Sequence, residues 1–279
     1  MSEPSRPHKL WAQTPAWAQW VLIVAAGGFA GLGQAPLDQP VLTLIGLAFG
    51  FWIIRPTTSM SHFWRGWSLG CGYFLVSLAW LVEPFLVEGR GTEWLAPFAL
   101  LAMAGGLALF WGGAFALIRG RFGLWACMAL LLAEIARSYL FTGFPWALLG
   151  YVWIDTPAYQ MAAIIGPHGL SLLTLVLAAL IAWGGVMLRL VVLTATFALP
   201  FVPALGLDNR LTTGEGRPIV RLIHPNVAQE NKWNPDKMGE IYQTHLSLTH
   251  AGPAVDLIIW PETSVYLPID WARREIAGV

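Results

Sequence analysis

The feature that most limits how this chain can fold is the uneven spread of its charges. Residues 1–207 hold 16 of the 32 Asp, Glu, Lys and Arg side chains, and the 72 residues from 208 to 279 hold the other 16. Within the charge-poor part, apolar stretches run near 17–34, 40–54, 64–82, 94–118, 121–140, 168–188 and 190–206. A helix needs about 20 apolar residues to cross about 30 Å of hydrocarbon. In lipid every backbone N–H and C=O must be paired internally, so such stretches fold as helices. The expected fold class is a polytopic α-helical membrane region of about seven spans, followed by the start of an α/β domain. The expected domains are residues 1–207 for the membrane region and 208–279 for the polar part.

Composition closes off other classes. Hydrophobic residues make up 56% of the chain and charged ones 11%, against about 25% charged in a soluble domain. The 13% aromatic content excludes disorder. Two cysteines cannot build a disulfide framework. A net charge of zero gives no footprint for nucleic acid. Arg6, Lys9, Arg55, Arg65, Arg119, Arg121 and Arg189 fall on one side of the seven spans, and only Arg90 falls in a short loop on the other. The positive-inside rule then puts the N-terminus in the cytoplasm and residues 208–279 on the outer side.

The polar segment reads as strand, helix, strand. Pro218 to His224 is β-rich, residues 235–250 have helical character, and Asp256 to Trp260 is a short apolar run long enough for a buried strand. That order implies a βαβ crossover and a parallel pair.

Some polar residues lie inside apolar stretches. Glu134 and Arg137 are three apart on the fifth span, so they share a helix face and can pair. Ionisable groups at membrane depth mark either structure or function, and both readings stand. Phe141-Thr142-Gly143-Phe144-Pro145-Trp146 follows. Gly and Pro end the helix, and Trp favours the interface. Cys71 and Cys127 lie within spans without the electropositive neighbours that activate a thiol. The histidines, among them His168, His224, His245 and His250, show no metal-ligand spacing. No metal and no cofactor are expected.

The sharpest motif is Trp260-Pro261-Glu262-Thr263-Ser264, directly after Leu257-Ile258-Ile259. α/β folds place their sites just past the carboxyl ends of parallel strands. A partly shielded carboxylate there can serve as a general base, and a helix-capping or surface acid is the competing reading.

This strand-Trp-Pro-Glu-Thr segment resembles the catalytic glutamate segment of the nitrilase, or carbon–nitrogen hydrolase, superfamily. Joined to several membrane spans, it resembles the apolipoprotein N-acyltransferases, which complete bacterial lipoprotein maturation. Leu140 to Trp146, with Leu149-Gly150-Tyr151 after it, is similar to that family's membrane motif. Asn226, Gln229 and Lys232-Trp233 resemble the segment after the first strand of its domain, with His224 where the family commonly has Gln.

The resemblance implies a nitrilase-like domain beginning at residue 208, in the bacterial inner membrane with that domain in the periplasm. It implies a Glu-Lys-Cys triad whose cysteine carries an acyl chain from a phospholipid to the α-amino group of diacylglyceryl-cysteine on an apolipoprotein. Glu262 matches the base. Trp233 matches a tryptophan near the acyl or lipoprotein site, and Phe144, Pro145 and Trp146 match the membrane motif. The implied partners are a phospholipid donor, a diacylated apolipoprotein acceptor and membrane lipids. In that family the lysine and cysteine follow the glutamate. Here Lys232 and Lys237 precede Glu262, and no cysteine follows Cys127. The expectation is therefore a C-terminally incomplete member, inactive alone. A membrane-anchored nitrilase-type amidase and a non-catalytic membrane scaffold or transporter are the alternatives.

Overall fold

The computed structural model describes residues 13–54, 59–87, 91–118, 123–199, 218–228, 231–232 and 234–261. Contacts divide the chain into two compact units. One comprises Met1–Leu86 with Gly91–Leu207, the other Val87–Arg90 with Asp208–Val279.

The first unit is helical. Its α-helices are α1 (Ala16–Gly31), α2 (Pro40–Ile54), α3 (Ser59–Ser77), α4 (Glu83–Val87), α5 (Ala96–Ile118), α6 (Leu124–Tyr139), α7 (Ala162–Trp183) and α8 (Val186–Ala198). Each apolar stretch of the sequence becomes a helix, but not every helix has the length of a span. Glu93–Ile118, Leu124–Thr142 and Pro157–Trp183 are long and apolar enough to cross a membrane. The pair Ser61–Ser77 and Ala79–Leu86, bent by 62°, makes a fourth if it is one broken span. Helices α1, α2 and α8 have 16, 15 and 13 residues, only about 20–24 Å at 1.5 Å per residue. They fall short of the hydrocarbon thickness without their flanking turns.

The helix expected from residue 168 is formed, and a further helical turn from Ala162 precedes it across a kink. Gly166 adopts φ 67°, ψ 176°, and Pro167 follows. Proline lacks the N–H needed to continue the ladder, and glycine tolerates the left-handed region that the kink requires. The sequence pattern therefore revealed only the stretch beyond the kink.

Aromatic side chains fill the interior. Trp111, Trp153, Tyr73, Phe51, Phe74 and Phe115 are fully buried. Tyr73 stacks on Trp111 at 5.1 Å and Phe51 on Trp183 at 5.6 Å. Large apolar side chains also cover the outside, including Leu101, Leu109, Leu117 and Leu132. Exposed apolar surface of this extent marks an interaction surface, and on helices this long and apolar its solvent is lipid.

Helices α1 and α3 approach closely through glycines. A Cβ built on Gly27 would collide with the Leu69 carbonyl, and one on Gly72 with the Val24 carbonyl. Small residues let membrane helices pack backbone to backbone. Gly27→Val should cost about 1–3 kcal/mol through overpacking. Thermal unfolding of the detergent-solubilised chain reads this as a lowered midpoint, and an unchanged midpoint would show that the crossing can open freely.

The second unit holds β1 (Val220–Leu222), α9 (Met238–His250) and β2 (Leu257–Ile259). The strands are parallel, with Val220 opposite Leu257 and Leu222 opposite Ile259. The crossover expected from the sequence is thus formed. Burial of β2 is not: Leu257, Ile258 and Ile259 are 50%, 38% and 45% exposed. Two strands and one helix cannot cover both faces of a sheet.

Candidate functional site

Helix α6 carries the buried ion pair. Glu134 and Arg137 are 0% and 1% exposed, with 3.1 Å between Arg137 Nη2 and Glu134 Oε2. The i, i+3 spacing aligns them, and the neighbours complete the compensation that buried charges need. Trp111 Nε1 donates to Glu134 Oε1 at 3.0 Å, and the Leu149 N–H donates to Oε2 at 3.3 Å. Arg137 Nη1 donates to the carbonyls of Phe144 and Trp146, both at 2.6 Å. Its Nη2 also reaches the Ala147 carbonyl at 3.4 Å. The Phe74 ring lies 5.2 Å from the guanidinium carbon, within cation–π range.

The pair thereby holds the segment after α6. Phe141, Thr142, Gly143 and Ala147 all have positive φ, at 54°, 84°, 81° and 55°. Non-glycine residues in that region are costly and persist only when their surroundings enforce it. Arg137 supplies part of that enforcement by binding the carbonyls of Phe144, Trp146 and Ala147. A second buried group helps. Gln34 Nε2 donates to Tyr73 Oη at 2.7 Å and to the Leu148 carbonyl at 2.9 Å, while Tyr73 Oη donates to the Ala147 carbonyl at 3.1 Å.

The held segment presents Phe141 at 88% exposure and Trp146 at 58%. Trp146 lies 5.6 Å from Trp80, ring to ring. Of the expected substrate-binding residues, Phe144 is half-buried against the core, while Pro145 and Trp146 are exposed. The same segment closes one end of a groove of about 1030 Å³ between α5 and α6, which Arg137, Phe141 and Phe144 help to line. The two cysteines stay apart from this site. Cys127 is buried within α6 with Sγ donating to the Leu175 carbonyl at 3.5 Å, and Cys71 is half-buried in α3.

In the second unit, the segment leading to Glu262 is anchored. Trp260 Nε1 donates to Thr249 Oγ1 at 2.8 Å, and Thr249 Oγ1 donates to the His245 carbonyl at 2.8 Å. The Trp260 ring lies 5.2 Å from His245 and 5.9 Å from Tyr242. The Ile223 N–H donates to the Ile259 carbonyl at 2.9 Å. Trp260, the residue after β2, is therefore fixed on α9 two residues before Glu262. Glu262 itself, like Trp233, lies outside the described residues.

Comparison with known proteins accounts for this pairing of motifs. Residues 26–180 match the model of the apolipoprotein N-acyltransferase N-terminal domain. The chain belongs to the apolipoprotein N-acyltransferase family. Among curated relatives bearing that name, the protein of Caulobacter vibrioides is 34% identical over 287 residues, covering 93% of this chain and 54% of the relative. The Azotobacter vinelandii protein is 32% identical over 290 residues, covering 96% and 55%. That of Brucella suis is 32% identical over 294 residues, covering 94% and 55%. The chain thus spans about half the length of the curated relatives it matches. The match to the family model takes in α2 to α6, so the Glu134–Arg137 pair and the segment it holds lie within the region matched to the apolipoprotein N-acyltransferase N-terminal domain.

Sequence reasoning found Glu134 and Arg137 by their spacing but missed Gln34, Tyr73 and Trp111 as their supports. Gln34 and Tyr73 are distant in sequence from the segment they hold, and no local periodicity couples them to it.

Proposed function

We propose that this chain is the membrane region and the opening part of the nitrilase-like domain of an apolipoprotein N-acyltransferase. It sits in the bacterial inner membrane with about seven spans, its N-terminus cytoplasmic and its domain periplasmic. The observation that carries the reading is the end of β2: a strand parallel to β1, pinned to α9 through Trp260 and leading directly into Pro261-Glu262. The seven-to-one asymmetry of basic residues supports the orientation.

In the proposed reaction Glu262 takes the proton of a cysteine thiol, and the thiolate attacks an ester carbonyl carbon of a phospholipid. The tetrahedral oxyanion is held by a lysine. Its collapse breaks the ester C–O bond, releases a lysophospholipid that takes up the proton, and leaves an acyl thioester. The α-amino group of diacylglyceryl-cysteine on the apolipoprotein then attacks the thioester. Glu262 accepts the amine proton, an amide forms, and the thiol is regenerated. Both substrates are lipids, so the apolar helices serve as the platform along which they reach the site. Trp233, Phe144, Pro145 and Trp146 contact them.

The test is acylation of a synthetic diacylated lipopeptide in phosphatidylethanolamine micelles, read by mass spectrometry as the gain of one acyl chain. The product of the complete reading frame should carry out the transfer and should need the phospholipid. Hydrolysis of small amides without phospholipid would replace this reading with a membrane-anchored amidase.

A further inference from the structure

Trp260 is held at three points by one face of α9. Its Nε1–H donates to Thr249 Oγ1 at 2.8 Å, the Tyr242 ring meets it edge-on at 5.9 Å, and the His245 imidazole lies 5.2 Å away, tilted by 39°. The α9 side of this contact is itself fixed. Thr249 Oγ1 donates back to the His245 carbonyl, and His245 Nδ1 lies 2.8 Å from the Ile241 carbonyl. A neutral imidazole has one donor nitrogen and one acceptor. A carbonyl only accepts, so Nδ1 carries the hydrogen and Nε2 is the acceptor. His245 is 2% exposed, and its Nε2 has no hydrogen-bond partner among the described residues. A buried acceptor left unpaired costs stability. Leucine or phenylalanine would fill the same place between α9 and Trp260 without that cost. What histidine adds is the bond to Ile241, which sets the plane of the ring lying against the indole.

We infer that His245 is a positioning residue for Glu262, acting through Trp260. The connection between the two is short and stiff. Pro261 alone separates Trp260 from Glu262. Proline locks its own φ at about −65° and confines the residue before it to extended backbone. Two of the torsions that would let the chain swing after Trp260 are thus restricted, so the placement of the indole carries over to the carboxylate. A catalytic group works best when the residues that hold it are themselves locked by packing and hydrogen bonds. The unpaired Nε2 fits this role, because proteins break the rules of stable packing where function requires it. A residue present only to fill the core would do better without the nitrogens. The role in catalysis rests on the proposed N-acyltransferase function, whereas the clamp on Trp260 does not.

The experiment labels the 279-residue chain with fluorotryptophan and records fluorine NMR spectra in detergent micelles. The Trp260 line is assigned by its loss in Trp260→Phe. It should be single and sharp in the unaltered chain. His245→Phe keeps a ring beside the indole but not the bond to Ile241, and it should split or broaden that line. The unfolding midpoint should stay the same or rise, because the unpaired Nε2 is gone. His245→Leu repeats both measurements should phenylalanine not fit. In the lipopeptide assay the same variant should lower kcat by about 10- to 100-fold, the range over which a displacement of about 1 Å acts. KM for phosphatidylethanolamine and for lipopeptide should not change, since ground-state binding is untouched. A single sharp Trp260 line in the variant, an unchanged kcat, or a fallen midpoint that accounts for the lost turnover would each overturn the proposal. The spectra are read without turnover. A clamp present in a protein that fails to acylate lipopeptide would reject the function and keep the clamp. Acylation together with a Trp260 line indifferent to His245 would do the reverse.

Discussion

Glu134→Ala should lower the unfolding free energy of the membrane unit by about 3–5 kcal/mol, the cost of breaking a buried ion pair from one side. Arg137 would remain buried without its carboxylate, and Trp111 Nε1 and the Leu149 N–H would lose their acceptor. Each loss adds the desolvation of an unmade bond. The damage should then spread to the segment after α6, because Arg137 is the donor that holds the carbonyls of Phe144 and Trp146. Once the guanidinium can swing away, the positive φ angles of Phe141 and Thr142 lose one of the restraints that keep them, alongside the Gln34 and Tyr73 bonds to the same segment. Thermal or denaturant unfolding in detergent measures the first effect, and limited proteolysis near residue 142 measures the second. The double replacement Glu134→Gln with Arg137→Met should cost less than the sum of the single ones, since it removes both charges together. Additive costs would mean that the two side chains act separately and that the pair is not the organising element.

This hub shows how far local pattern reaches. A spacing of three residues identified Glu134 and Arg137 as partners, and Gly143 with Pro145 marked the end of the helix. Both inferences rest on short-range geometry, which sequence carries directly. What the pair does was not legible. The carbonyls that Arg137 binds are displayed only because four nearby residues take positive φ, and three of those, Phe141, Thr142 and Ala147, are types that ordinarily avoid that region. Their conformation is a consequence of the tertiary bonds.

The same limit governs the helices. Apolar runs located α1 to α3 and α5 to α8, and Gly166-Pro167 marks the kink in α7, yet the bend after Ser77 arises where apolar sequence continues into Leu78 to Val82. In the polar unit the parallel pairing followed from strand, helix and strand in order. Exposure of β2 did not, because the apolar run Leu257 to Ile259 records what the strand is suited to, while burial depends on how many elements lie against it. The groove between α5 and α6 was illegible for a related reason. Glycine and alanine at helical spacing read as close packing, and only coordinates distinguish a seam that is filled from one left open.

On the proposed N-acyltransferase function, Glu262→Gln should reduce acyl transfer by about 10²–10⁴-fold, the usual weight of a positioned general base. Glutamine keeps the size of the side chain and can still hydrogen-bond, but it cannot take a proton from a thiol or an ammonium. Both half-reactions should therefore fail. With phospholipid alone, the variant should release no burst of lysophospholipid, because the thioester does not form. Its insertion in the membrane and its unfolding midpoint should be unchanged, since the residue lies beyond β2 and the anchoring bond of that strand is made by Trp260 to Thr249. That combination separates a chemical role from a structural one: a capping or surface acid would shift stability and spare turnover. A variant that retains activity within about tenfold, a difference of only 1.4 kcal/mol in the barrier, would remove Glu262 from the mechanism and leave Trp260-Pro261 as a strand terminus without chemistry.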